Sequence, residues 1–340
     1  MPKDITIYDL ARELNLSIAT VSRALKNDPA VKPSTKQLIQ EHAVKRGYQS
    51  NYFASSLRKN KTYTIGVLLH ELNSNFMVSV LAGIENIFSK TNYDIIIAHS
   101  AESAKIEASN SNNLFHKRVD GLLASLAFDT TNLSHFDQYF KKNIPVVFFD
   151  RVEESSLGTK IIINNYEAGF KATKHLIQQG CKRIAHVTGN LTRNVYKDRL
   201  RGYEAATHEA NLVVDKALLF VSDLKKESCV DIAKKIAKMK LKPDGIFITN
   251  DFSAAIIIQT LKSFNIKIPN DIAIVGFNND LISTIVEPNL TTINYSGTMI
   301  GEKAASYLLK KITNQENNTK SKTIQIESEL IIRQSSIKIK

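Results

Sequence analysis

The sequence predicts an α/β fold with a small all-α helix-turn-helix head at its N-terminus. Three observations carry this. The first 50 residues hold three short stretches whose apolar residues follow helical spacing. From Thr64 onward, short apolar runs alternate with helical periodicity, the pattern of parallel sheets covered by helices on both faces. The strand–helix units are too many for one sheet, so the body divides into two α/β lobes.

In the head, Ile7, Leu10, Ala11 and Leu14 lie on one face of a first helix. Thr6 is placed to cap it, with Asp9 three residues on. The helix should stop near Asn15, because asparagine tolerates the left-handed backbone of a tight turn. Ser17 then caps a second helix, Ile18 to Leu25, with Val21, Ala24 and Leu25 on its inner face. A third helix should start at Ser34 with Gln37 completing a capping box. It should bury Leu38, Ile39 and Ala43, and Gly47 should end it. Two short helices across a tight turn, braced by a third, let the second helix enter a DNA major groove.

Charge agrees with a polyanionic partner. Residues 1–62 carry 11 Lys and Arg against five Asp and Glu, so they hold half of the net charge of +12 on less than a fifth of the chain. The two cysteines, Cys181 and Cys229, are too few for a disulfide framework and fit a reducing compartment. The N-terminus MPKDITIYDLAREL has no apolar core of a signal peptide, and no run of about 18 apolar residues exists. The expectation is a cytoplasmic protein with no membrane contact.

The head is similar to the DNA-binding head of the lac repressor / galactose repressor (LacI/GalR) family. The segments that carry the resemblance are TIYDLARELNLSIATVSRAL, then VKPSTK, then RGYQSNYFASSLR. The resemblance implies a head over residues 1–50 and a hinge helix and linker over 51–62. It places Ser17, Ile18, Ala19, Thr20, Ser22 and Arg23 at DNA-contacting positions, with Thr6 at the start of the first helix. Ile18 and Ala19 occupy the pair that sets operator preference, and their apolar character suits thymine methyls. Arg23 suits guanine O6/N7 or phosphate. Asn51, Ala54 and Leu57 match the hinge, which implies that Leu57 wedges between base pairs and kinks the duplex. Asn15 replaces the family's turn glycine, and Ser50 replaces the proline before the hinge.

In the body, the predicted strands are Ile65–Leu69, Asp94–Ala98, Gly121–Ser125 and Val146–Phe149, then Ile161–Ile163, Ile184–Val187, Gly245–Thr249 and Ile272–Val275. Helices are expected over Phe76–Thr91, Ala104–Lys117, Ala168–Gln179, Arg199–Ala210 and Ser253–Phe264. Ligands of open parallel sheets bind beyond the carboxyl ends of the strands. Between two lobes that becomes a cleft able to close. The residues after those strands include Asn75, Phe76, Asp150, Arg151, Arg193, Arg199, Asn250 and Asn278. Amides, carboxylates and arginines beside an aromatic ring suit a polyhydroxylated ligand.

The segments RVDGLL, FFDR, AGFKATKHLI, ITND, DIAIVGF and EPNLTTI resemble stations of the same family's effector domain. They imply a periplasmic-binding-protein-like body over 63–340. Its N-lobe would be about 63–162 and 292–325, its C-lobe about 163–291 and 326–340, with crossovers near residues 162, 291 and 325. The resemblance puts Asn75, Phe76, Asp150, Arg199, Asn250 and Asn278 in the cleft. Asn278 stands where an aspartate is usual, and Met77 where a second aromatic is common.

The expected function is a DNA-binding transcriptional regulator, a repressor, that meets a pseudo-palindromic operator as a homodimer and answers to a small-molecule effector, a carbohydrate. Alternatives are control by a protein corepressor, or a carbohydrate-binding receptor. An enzyme is not expected. The chain has no P-loop, H-E-x-x-H, G-x-S-x-G or G-x-G-x-x-G, and its eight histidines show no metal spacing. No catalytic residue, metal or cofactor is predicted.

Overall fold

A computed structural model describes residues 5–48, 61–313 and 321–338. The chain divides into two compact units, Met1–Thr62 and Tyr63–Lys340. The hinge positions Asn51, Ala54 and Leu57 lie outside the described residues.

The head packs three helices, α1 (Ile7–Glu13), α2 (Ile18–Leu25) and α3 (Pro33–Lys45), around Leu10, Ala11, Val21, Ala24, Ile39 and Ala43. Thr6 caps α1 with a full capping box. Its Oγ1 accepts from the Asp9 amide at 3.3 Å, and the Asp9 carboxylate accepts from the Thr6 amide at 3.0 Å. Asn15 takes φ 52° in the turn, and Ser17 caps α2 by accepting from the Thr20 amide at 3.1 Å. Glu13 ties α1 to α3 through His42 at 2.7 Å and Arg46 at 2.8 Å.

Helix α3 departs from expectation. It begins at Pro33, its N-cap is Lys32, and no side chain caps it. Proline at the first helical position brings a preset φ and has no amide to satisfy, so a capping box at Ser34 is not needed. Gln37 instead donates to Glu41 at 2.9 Å, and Leu38 is 53% exposed. Gly47 ends the helix at φ 64°, with Tyr48 N–H returning to the Ala43 carbonyl. The capping box makes one prediction. Thr6→Ala should cost about 0.5–2 kcal/mol of head stability. The check is native-state hydrogen exchange at the Leu10 amide, which should speed up.

The body holds two six-stranded sheets. The first contains β1 (Thr64–Leu69), β2 (Asp94–His99), β3 (Gly121–Ala124), β4 (Val146–Phe149), β5 (Thr159–Ile163) and β11 (Thr323–Ile326), in the order β11-β5-β4-β3-β1-β2 and all parallel. The second contains β6 (Ile184–Thr188), β7 (Leu219–Val221), β8 (Gly245–Ile248), β9 (Ala273–Asn278), β10 (Thr291–Asn294) and β12 (Glu329–Ile331). Its order is β12-β10-β9-β8-β6-β7, and only β12 runs antiparallel. Helices α4 (Asn75–Phe88), α5 (Ala104–His116) and α6 (Asp137–Lys141) serve the first sheet. The second is served by α7 (Asn165–Gln178), α8 (Asn194–Glu209), α9 (Lys226–Lys238), α10 (Asp251–Ser263) and α11 (Ile282–Ile285). Helix α12 (Gly297–Ile312) returns to pack on α4.

These pairings put the lobe crossovers after Ile163, after Asn294 and after Ile326. The expected crossover near 291 is therefore displaced. Thr291–Asn294 hydrogen-bonds beside β9, so it belongs to the second lobe. Close helix pairs frame both lobes. A Cβ at Gly202 would strike the Tyr166 carbonyl oxygen, and one at Gly83 would strike that of Thr298, so α7–α8 and α4–α12 approach backbone to backbone.

Candidate functional site

In the head, α2 leaves one face exposed. Ser17, Ile18, Ala19 and Arg23 are exposed, and Thr20 and Ser22 are half-buried, while Val21 and Ala24 point into the core. The Ser17 and Thr20 hydroxyls are 2.8 Å apart. Thr6 is exposed, but its hydroxyl is spent on Asp9 at 2.6 Å.

The second candidate site lies between the lobes. Asp150, the residue after β4, takes φ 56°, a left-handed backbone. Such residues persist where surrounding structure fixes them. Its Oδ1 accepts from the Tyr295 hydroxyl at 2.9 Å. Burial pushes the Asp150 carboxyl up, against the pull of Arg151, Arg199 and the Tyr295 hydroxyl. Arg199 faces it from α8, only 4% exposed. Its Nε donates to Asn165 Oδ1 at 2.9 Å, its Nη1 donates to the Thr249 carbonyl at 2.9 Å, and its guanidinium lies 3.5 Å from the Phe277 ring centroid. Burial pulls its pKa down. Asp150 and Arg199 thus feel each other's field but do not form an ion pair.

Helix α8 begins five residues before the expected start, so Arg199 sits inside it rather than at its first turn. It shares the buried face with Val195, Tyr196, Gly202 and Tyr203. An arginine on an inward face breaks the apolar periodicity and hides the earlier turn. On the outer face of α8, Arg201 holds Asp198 at 3.1 Å.

Arg151 and Arg193 line the seam rather than an open pocket. Arg151 Nη1 donates to Glu102 at 2.7 Å, its guanidinium covers the Phe128 ring at 4.0 Å, and its Nη2 reaches the Tyr196 hydroxyl at 3.3 Å. Arg193 Nη2 donates across the seam to the Thr130 carbonyl at 2.6 Å. Asn194 adds two further bridges, accepting from Val152 N–H and donating to the Asp150 carbonyl, each at 3.0 Å. These bonds tie the two lobes to each other.

Near the crossovers a 370 Å³ pocket brings together Asn75, Phe76 and Asn278 with Asn279, Asn294 and Tyr295. Phe76 is buried against the Tyr295 ring, centroids 4.5 Å apart. Asn278 has φ 109° and donates to Asp280 at 3.4 Å. Asn250 is not in this lining. Its side-chain oxygen caps α10, accepting from Ser253 N–H at 2.7 Å. The residues that sequence reasoning missed are Tyr295, Tyr196, Phe277 and Asn165. Tyr295 follows β10, a strand that the sequence pattern did not reveal.

Asp251 anchors the loop that follows Asn278, the last residue of β9. Its Oδ1 accepts from Thr292 Oγ1 at 2.7 Å, and its Oδ2 accepts from the Asp280 amide at 2.8 Å. Burial, against those bonds, pushes its pKa up to about 8. A carboxyl with a raised folded pKa binds its proton more tightly when folded. Its contribution is therefore present at low pH and falls as pH rises from about 4 through that value. Asp251→Asn should flatten the fall of the body's melting temperature between about pH 5 and about pH 9.

Among the described residues no cluster of His, Cys, Asp or Glu is suited to a metal ion, and no helix is long and apolar enough to cross a membrane.

Comparison with known proteins identifies the family of the chain. Residues 6–51 match the model for bacterial regulatory proteins of the lacI family, and residues 173–336 match that for a periplasmic binding protein-like domain. The chain is 32% identical over 336 residues to catabolite control protein A of Priestia megaterium, covering 98% of this chain and 99% of that one. The chain belongs to the LacI family. Its LacI-type fold is shared with a lac repressor dimer bound to operator and the anti-inducer ONPF, at TM-score 0.87 and 20% identity over 98% of this chain and 100% of that one. It is shared also with the transcriptional regulator CelR in complex with cellobiose, at TM-score 0.73 and 23% identity over 97% and 99% of the two chains. As a LacI-family member, the protein is a DNA-binding transcriptional repressor.

Proposed function

We propose that the chain represses transcription from a pseudo-palindromic operator as a homodimer, and that a hydroxyl-rich small molecule held between its lobes sets its operator affinity. The observation that carries the reading is the facing pair Asp150 and Arg199, both buried, from different lobes and not ion-paired. A hydroxyl can donate to the carboxylate and accept from the guanidinium at once. Phe76 and Tyr295, packed together at the edge of the pocket, supply the apolar wall that a sugar ring's C–H face requires. The cellobiose complex of a structural neighbour supports the carbohydrate class. A ligand can alter DNA binding only by favouring one lobe arrangement over another. The bridges from Arg193 and Asn194 are the groups that such a change would make or break. The homodimer has apolar surface available outside the pocket lining: Ile97, Phe252 and Ile285 are exposed.

On the DNA, α2 enters the major groove with Ser17, Ile18, Ala19, Thr20, Ser22 and Arg23, and the hinge residues Asn51, Ala54 and Leu57 meet the minor groove. Leu57→Ala should reduce bending and specific affinity while sparing non-specific binding, because the wedge acts on base stacking and phosphate contacts supply the rest. An undiminished bend in a circular-permutation assay would remove the wedge from the account. The sensing function is tested by thermal-shift screening of neutral sugars on the full chain, since a ligand of the native state raises the melting temperature. No shift with any sugar would contradict it.

A further inference from the structure

A second pocket, of 660 Å³, lies on the first lobe and shares no lining residue with the one beside Phe76. Two of its residues, Tyr63 and Tyr93, stand just before β1 and β2, so it sits at the amino ends of the strands, whereas the interlobe cleft lies at their carboxyl ends. Ile87 of α4 and Leu309 of α12 give it apolar walls, and the turn after α4 brings up Lys90 and Tyr93. The Thr91 hydroxyl fixes that turn, donating to the Phe88 carbonyl at 2.7 Å and accepting from the Tyr93 amide at 3.2 Å. Tyr63 is the first residue of the second unit and takes φ 53°. A bulky side chain is strained in that region and stays there only where its surroundings hold it. Here the Tyr63 amide donates to Asp120 Oδ2 at 2.9 Å, and its carbonyl accepts from the Asp94 amide at 2.8 Å. The result is a tilted pair of rings, Tyr63 and Tyr93, with centroids 5.5 Å apart.

The charge here has one sign. Lys90 and Lys310 are exposed in the lining, and neither is in an ion pair with a described residue. The described lining holds no carboxylate. Helices α4 and α12 both end here, and each carboxyl end is equivalent to about half a negative charge. Two ammonium groups outweigh those ends, so the rim is net positive. Burial, with the Asp120 carboxylate beside it, pushes the Tyr93 phenol up to about 12, so that ring stays uncharged at neutral pH. Aromatic and aliphatic walls favour a flat apolar body, and unpaired lysines favour an anionic group upon it. The volume lies within the range of small-molecule sites, roughly 300–1,000 Å³.

We propose that this pocket is a second small-molecule site, one that takes an aromatic anion: a planar ring system bearing a carboxylate. The inference is independent of the sugar reading of the cleft. Isothermal titration of the full chain at neutral pH with naphthoate, naphthol and naphthylmethylamine tests it, since the three probes share a ring system and differ in charge. The expected result is that naphthoate binds at least about tenfold tighter than naphthol, and that the cationic amine binds most weakly. Lys90→Gln with Lys310→Gln, both at exposed positions, should erase the advantage of naphthoate over naphthol. Ser306→Trp, which puts a ring into the pocket, should remove binding of both. A melting curve of each variant verifies folding, and the lysine pair decides alone if Ser306→Trp melts early. Naphthol binding as tight as that of naphthoate would overturn the anionic class. Binding of none of the three would overturn the site, and so would naphthoate binding that keeps its full strength in the lysine variant.

Discussion

Arg199→Lys is expected to leave operator binding without effector unchanged and to abolish most of the effector response. The reason is geometric. The guanidinium spends its Nε on Asn165 and its Nη1 on the Thr249 carbonyl while lying flat on Phe277. A lysine keeps the charge but offers one nitrogen in place of a planar fork, so it does not hold those two partners and a ligand hydroxyl in the same orientation. Loss of a charge-assisted hydrogen bond to ligand costs roughly 1.5–3 kcal/mol, about ten- to a hundredfold in affinity. Arg199→Ala is a harsher variant. It also leaves the Thr249 carbonyl unpaired and the Phe277 face uncovered, so it should lower the melting temperature as well. The measurement is operator affinity with and without the saccharide found by screening, beside a melting curve. A lysine variant with full response would place Arg199 outside the effector's reach.

Arg23→Ala is expected to lose specific operator binding while the body melts as before. Arg23 is exposed on the same helix that buries Val21 and Ala24, so truncation leaves the head's core intact. A bidentate arginine–guanine contact contributes roughly 1–3 kcal/mol of discrimination. A phosphate contact would instead weaken specific and random DNA alike and reduce the salt slope by about one. Gel-shift titrations on operator and on random duplex at two salt concentrations separate these roles. Unchanged affinity on both would take Arg23 out of the interface.

What the sequence disclosed follows burial. Strands β1, β3, β4, β8 and β9 are buried over nearly their whole length and read as near-continuous apolar runs, and β6 buries His186 and Thr188 within a similar run. Strands β7, β11 and β12 are half-exposed edges three or four residues long, too short and mixed to stand out. Caps at Thr6 and Ser17 were legible because a hydroxyl at the N-cap position makes each, whereas the start of α3 depends on Pro33 and is silent to a search for capping oxygens. In the cleft, Asp150 was legible from its place after a clear strand. Tyr295 was not, since the residues before it, Thr291–Asn294, look like loop. Nor did spacing reveal that the Phe76–Tyr295 contact would separate an open pocket from the buried charges.

The central claim is that a ligand between the lobes governs the grip of the head on DNA. It is tested most directly by titrating the full chain onto its operator with and without the saccharide that most raises its melting temperature. The account predicts that saturating saccharide shifts the operator Kd by about five- to 150-fold, the size of a typical coupling free energy, and that operator DNA shifts the saccharide Kd by the same factor. A saccharide that binds the body tightly yet leaves the operator Kd unchanged would contradict it.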